Sequence, residues 1–111
     1  MNHSHWKLRR EQELATGHEE PDETRTERAE IRLAMAFAKA VYDRRKALGL
    51  SQKEVAQRAG LTQAKISRIE GADAVPTLLL LRRLARALDA SLSIALDEDQ
   101  EEVVFVSRTA A

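Results

Sequence analysis

Gln63, Ala64, Lys65, Ser67 and Arg68 fall within six consecutive positions, and each type can touch a nucleic acid. A glutamine amide pairs bidentately with adenine. Arginine and lysine pair with guanine or with phosphate, and an alanine methyl meets the thymine methyl. Ile66 and Ile69 sit among them at helical spacing, so a helix here buries the two isoleucines and leaves the other five outside. Thr62 is placed to cap that helix and Gly71 to close it.

A second short helix must hold the first. Ser51-Gln52-Lys53-Glu54 fits a capping box and opens a helix to about Ala59, where Gly60 breaks it. Val55, Ala59 and Leu61 face Ile66 and Ile69, and the small Ala56 leaves room for a close crossing. Gly60 tolerates the positive φ of a tight turn. Two short helices joined this way project the outer face of the second one at a size that fits the major groove. Their N-termini, near Gln52 and Gln63, offer free N–H groups and a positive dipole end to phosphates.

Flanking elements support the pair. Thr24-Arg25-Thr26-Glu27 fits a capping box, and a helix is expected from Glu27 to Leu48, ending at Gly49. Ile31, Met35, Ala38, Val41, Tyr42 and Leu48 form its expected apolar positions. A fourth helix runs from Pro76 or Thr77 to Leu88, with Leu80, Leu81, Leu84, Ala85 and Leu88 inward. The period then changes. Leu92, Ile94 and Leu96 alternate with small residues, and Val103-Val104-Phe105-Val106 follows an acidic loop, which predicts two strands that can form a hairpin.

Leu50–Ala56 and Leu61–Glu70 together resemble the helix-turn-helix of the Xre/Cro–repressor family, over about residues 30–90. The resemblance implies a mainly α, lambda-repressor-like domain of four to five helices that binds double-stranded DNA. It assigns Gln52 to a phosphate contact and Gln63, Ala64, Lys65, Ser67 and Arg68 to the groove-facing surface, with Thr62 at its start. It also assigns Arg45 and Glu70 to a structural ion pair from the first helix to the end of the recognition helix. Arg44, Lys46, Lys53 and Arg58 are read either as added phosphate contacts or as solvated surface charges. A homodimer through the C-terminal strands, the fourth helix or both would place two recognition helices on a pseudo-palindrome.

The chain departs from phage repressors where strands replace a fifth helix. In that respect, and in its extended first helix behind an acidic, Trp-bearing segment, it resembles the HigA-like antitoxins. Those proteins neutralise a RelE/HigB-like ribonuclease and repress their own operon. Trp6, Leu14, Ile31 and Met35 would then be the apolar anchors for a basic toxin. A plain Xre regulator without a toxin is the other reading, and Trp6 is equally compatible with an exposed tail or with docking on its own domain.

Charge distribution agrees with this division. The 18 basic and 18 acidic residues cancel overall. Residues 1–30 hold five basic and eight acidic side chains, residues 31–90 twelve and five, and residues 91–111 one and five. The basic segment coincides with the paired helices. Residues 1–25 read as a flexible acidic tail, 26–90 as the DNA-binding domain and 91–111 as a strand or hairpin for dimerisation. The absence of Cys excludes disulfides, thiolate metal sites and thiol nucleophiles. No Gly-rich phosphate loop is present, and no enzyme, cofactor or metal is expected. His3, His5 and His18 read as incidental, and the Asp97–Glu102 run as a solvated loop. No apolar run approaches the roughly 20 residues of a membrane span. Without a secretory h-region, a cytoplasmic protein is the expectation.

Overall fold

The computed structural model describes residues 21–108. Trp6, Leu14 and the three histidines lie outside the described residues. The elements in chain order are α1 (Asp22–Ala47), α2 (Gln52–Ala59), α3 (Gln63–Glu70), α4 (Leu78–Ala87), β1 (Ala90–Leu96) and β2 (Glu101–Ser107). The mainly helical domain with a C-terminal hairpin is the fold expected from the sequence.

α1 begins earlier than the Thr24–Glu27 box implies. Its N-cap is Pro21, with φ −56°, and no side chain caps it. Proline already holds the φ that a first turn needs, and Asp22 and Glu23 favour the positive end of the dipole. Thr26 instead donates its hydroxyl back to the Asp22 carbonyl, at 2.9 Å. Helix therefore replaces the last four residues of the expected flexible tail.

The buried stripe of α1 meets the expected one at Ala38 and Val41 and departs from it at the other positions. Ala34, Phe37, Ala38 and Val41 are buried, whereas Ile31, Met35, Tyr42 and Leu48 are exposed. Both stripes have helical periodicity. Phe37 and Val41, beside small alanines, let the other elements approach closely, and this packing selects their stripe. The core joins them to Leu50, Val55, Ile66, Ile69, Leu81, Leu84 and Leu88. α1 packs on α3 and β2, α2 on α3 and α4, and α4 on β1.

The expected caps of the short helices form. Ser51 accepts from Glu54 N at 3.0 Å while Glu54 accepts from Ser51 N at 3.1 Å, completing the box. Thr62 caps α3 and Thr77 caps α4, each through its hydroxyl at 3.1 Å. The ends are less predictable. Gly60 takes the left-handed conformation, φ +68°. Arg83 of α4 reaches the carbonyls of Ala59 (3.0 Å) and Gly60 (2.6 Å), closing the C-terminus of α2. A Cβ on Gly60 would lie 2.8 Å from Arg83 Nη2. Gly71 closes α3 as expected, with φ −85°, and the left-handed residue follows it at Ala72 (φ 58°).

The hairpin is antiparallel, with Leu92 opposite Phe105 and Ile94 opposite Val103. These four residues pack against the helical core. That contact supplies what a two-stranded sheet lacks alone. Asp97 turns the loop by accepting from the N–H groups of Asp99 (2.8 Å) and Gln100 (2.7 Å).

Of the left-handed residues, Gly60 and Ala72 give opposite expectations. Gly60→Ala should lose about 1–2 kcal/mol, since a Cβ is disfavoured in this conformation and displaces Arg83. Ala72→Gly should gain roughly 0.5–1 kcal/mol by relieving the same strain. Urea unfolding of the two variants beside the parent measures both signs.

Candidate nucleic-acid interface

The surface is built on α3. Burial of Ile66 and Ile69 turns the opposite side of this two-turn helix outward. Gln63, Ala64, Lys65, Ser67 and Arg68 are all exposed, as are Thr62 and Lys53. Gln63, Ala64, Ser67 and Arg68 recur one turn apart, so they form one stripe. The first N–H groups of α2 and α3 lie beyond their own helical ladders, as at any helix start.

One interaction fixes how this stripe is presented. Arg45 and Glu70 form a two-pronged ion pair, Nε to Oε2 at 2.7 Å and Nη2 to Oε1 at 2.8 Å. The remaining Nη1 of Arg45 donates to the Leu50 carbonyl at 2.9 Å. Gln52 Nε2 donates to Glu70 Oε1 at 3.2 Å. The two charged side chains are only 10% and 6% exposed. The hydrogen bond that Arg45 donates to Glu70 holds its guanidinium above its ordinary pKa, against the opposing effect of burial. Four points are thereby tied together: α1, the loop after it, the start of α2 and the end of α3. The Arg45 guanidinium also lies 5.3 Å from the Tyr42 ring centre.

The surrounding cations separate into two groups. Lys53, Lys65, Arg58 and Arg68 are exposed on α2 and α3. Arg44 is different: it donates to the carbonyls of Leu88 (2.9 Å) and Asp89 (3.1 Å), closing the end of α4. Its reading as a phosphate contact is replaced by this role: the Leu88 carbonyl lies past the helical ladder, and the Asp89 carbonyl is shared with Arg108 N. Lys46 sits 5.9 Å from the Tyr42 ring. Gln52 is half-buried, and its amide is directed to Glu70 rather than left open. Sequence spacing gave no signal for the Gln52, Arg44 or Arg83 contacts, whose partners are 18 to 45 residues away.

Ile31 and Met35 are on α1, 47% and 59% exposed. Among the described residues no group of His, Cys, Asp and Glu side chains is arranged to hold a metal ion. No described helix is long and apolar enough to cross a membrane.

The family model for the helix-turn-helix matches residues 41–94. An HTH-type transcriptional regulator of Methanothermobacter thermautotrophicus is 44% identical over 48 residues, which cover 43% of this chain and 70% of the relative. The chain belongs to the Xre-type helix-turn-helix family of transcriptional regulators. The antitoxin HigA1 of Mycobacterium tuberculosis is 42% identical over 64 residues, covering 58% of this chain and 43% of its own length. A solved HTH_3-family transcriptional regulator from Vibrio cholerae superposes with a TM-score of 0.54 at 31% identity, covering 55% of this chain and 34% of that one. The chain thus spans less than half of the HigA1 and Vibrio proteins.

Removing one partner of a buried pair leaves the other charge unmatched. Glu70→Ala is therefore expected to lower stability by about 3 kcal/mol, and Arg45→Met/Glu70→Leu together by less than the sum of the single changes. A double-mutant cycle in urea tests this. At the start of α2, the N–H and hydroxyl of Ser51 hold the Glu54 carboxyl below its ordinary pKa. A depressed carboxylate pKa adds stability above the unfolded value of about 4.3 and loses it as pH falls through the folded value. Glu54→Gln should flatten that acid limb and leave the neutral-pH slope unchanged, as read from unfolding midpoints across pH.

Proposed function

We propose that this regulator is a sequence-specific DNA-binding antitoxin. As a dimer it reads a pseudo-palindromic operator, represses its own operon, and neutralises a RelE/HigB-like ribonuclease. The observation carrying the DNA half is the exposed stripe of α3 held at fixed orientation by the Arg45–Glu70 pair. In this reading Gln63 and Arg68 meet base edges, while Ala64 and Ser67 line the groove. Lys53, Lys65 and the N-termini at Gln52 and Thr62 grip phosphate. Two copies are needed because one short helix reaches few bases, and dimers engage half-sites about 34 Å apart. A dimer bound over a promoter would block polymerase.

The antitoxin half rests on the likeness to HigA1 and on the α1 surface. Glu27, Glu30 and Asp73 stand around Ile31, Ala34 and Val75 in an open cleft of about 360 Å³. No ion pair or hydrogen bond uses these three carboxylates among the described residues. An apolar strip edged by unmatched carboxylates suits a basic protein, both in steering and in contact. Trp6 and Leu14 would be further apolar anchors for the toxin. A plain transcriptional regulator is the second reading, favoured by the relative of which the match covers 70%.

Gln63→Ala and Arg68→Ala should each cost about 1–3 kcal/mol at the operator upstream of the chain's own reading frame. Lys65→Ala should weaken all DNA similarly and reduce the salt slope by about one. Quantitative footprinting at several salt concentrations distinguishes the two effects. Ile31→Asp with Met35→Asp should abolish rescue of cells expressing a basic ribonuclease from the neighbouring reading frame, while footprinting stays unchanged. Full rescue by that variant would remove α1 from the toxin interface.

A further inference from the structure

The hairpin register determines which backbone groups the strands spend on each other. Asp97 N donates to Gln100 O at one end, and Arg108 N donates to Asp89 O at the other. Hydrogen-bonded pairs alternate along an antiparallel ladder. In this register the bonded pairs are therefore Ser91 with Val106, Ser93 with Val104, and Ala95 with Glu102. The N–H and C=O groups of Val103 and Phe105 point away from β1, along the outer edge of β2. No loop or helix backbone hydrogen-bonds them among the described residues.

That edge lies open. A groove of about 550 Å³ separates it from α1, with consecutive β2 residues 101–105 on one wall and the small Ala36 and Ala40 on the other. Residues of both strand faces line it, as happens when a strand presents its edge. Two ion pairs flank it, Lys39 with Asp43 at 2.5 Å and Arg32 with Glu101 at 3.2 Å, and Arg44 is committed to the carbonyls of Leu88 and Asp89. Backbone pairing and apolar contact are therefore the main features the groove offers an occupant. From Val103 to Ser107, β2 carries no proline and no charged side chain to guard its edge; its two carboxylates, Glu101 and Glu102, are confined to its start. Its outward Val104 and Val106 are 41% and 52% exposed.

We propose that the outer edge of β2 pairs antiparallel with β2 of a second copy, with Val104 on the two-fold axis, making a continuous four-stranded sheet. This rests on the dimeric DNA-binding reading and supplies its interface. Centring on Val104 pairs every residue of the strand. It sets Val103 against Phe105 of the second copy, a favourable β-branched–aromatic pair. It places Glu101 and Glu102 opposite Ser107 and Val106, so no carboxylate faces its own copy. The unpaired Val103 and Phe105 backbone groups then find partners.

The chain has no cysteine, so single-cysteine variants report the register cleanly. Val104 would face its counterpart as a non-hydrogen-bonded pair, with Cα atoms about 4.5 Å apart, within disulfide range. Val104→Cys should oxidise to a covalent dimer in good yield. Ser93→Cys, on the same sheet face but three strand spacings or roughly 14 Å from its counterpart, should stay monomeric on denaturing gels. Val104→Glu sets two carboxylates face to face across the two-fold axis and leaves the core-facing residues of the strand unchanged. It should retain the parent's circular dichroism yet sediment as a monomer and bind a two-half-site operator at least tenfold more weakly. A parent chain that sediments as a monomer at micromolar concentration overturns the proposal. So does a dimer that Leu79→Cys, on the exposed start of α4, cross-links while Val104→Cys does not. In that second case operator binding by the parent persists, so only the interface assignment falls. A β2-paired dimer that ignores operator DNA would instead remove the DNA reading.

Discussion

The Arg45–Glu70 pair is the constraint on which the presentation of α3 depends. A two-turn helix is too short to hold its own orientation, since helices of this length are marginal without tertiary contacts. Ile66 and Ile69 bury one side of α3, but two apolar contacts leave rotation about the helix axis poorly defined. The two-pronged bond at its last residue removes that freedom. It does so through a side chain on α1 that also holds the Leu50 carbonyl. The same carboxylate receives Gln52 from the start of α2. Both helices of the motif are thus referenced to one guanidinium.

Arginine performs a parallel task twice more. Arg83 closes the end of α2 and Arg44 the end of α4. In each case a long side chain from a distant helix satisfies carbonyls that the helix itself cannot. A basic composition is therefore not a direct count of DNA contacts. Of the cations on residues 31–90, Arg44, Arg45 and Arg83 serve the fold. Lys53, Arg58, Lys65 and Arg68 remain on the surface of the motif. This division reconciles a zero net charge with a polyanion-binding surface, because the acidic residues are concentrated outside the central segment.

Local rules account for what was legible in the sequence. Ser51, Thr62 and Thr77 each cap the helix they precede, and the strand alternation from Leu92 appears as a hairpin. The exposed identity of the α3 stripe follows from the spacing of two isoleucines. Three features were not legible, each for a tertiary reason. The buried stripe of α1 adds Ala34 and Phe37 to the expected Ala38 and Val41 and leaves out Ile31 and Met35, since two apolar stripes compete and only packing chooses. The helix starts at Asp22 because Pro21 overrides a serviceable threonine box. Ala72 takes the left-handed position beside an available Gly71, and nothing local foretells that choice.

The central claim is that the exposed stripe of α3 enters the major groove of DNA. Its most direct test is an amide-resonance titration of the isotope-labelled chain with a duplex from its own promoter. The largest shifts are expected at residues 62–68 and at the first turn of α2, with β1 and the N-terminal half of α1 moving little. Shifts centred on the hairpin or on Ile31 and Met35, with residues 62–68 unmoved at saturation, would contradict it.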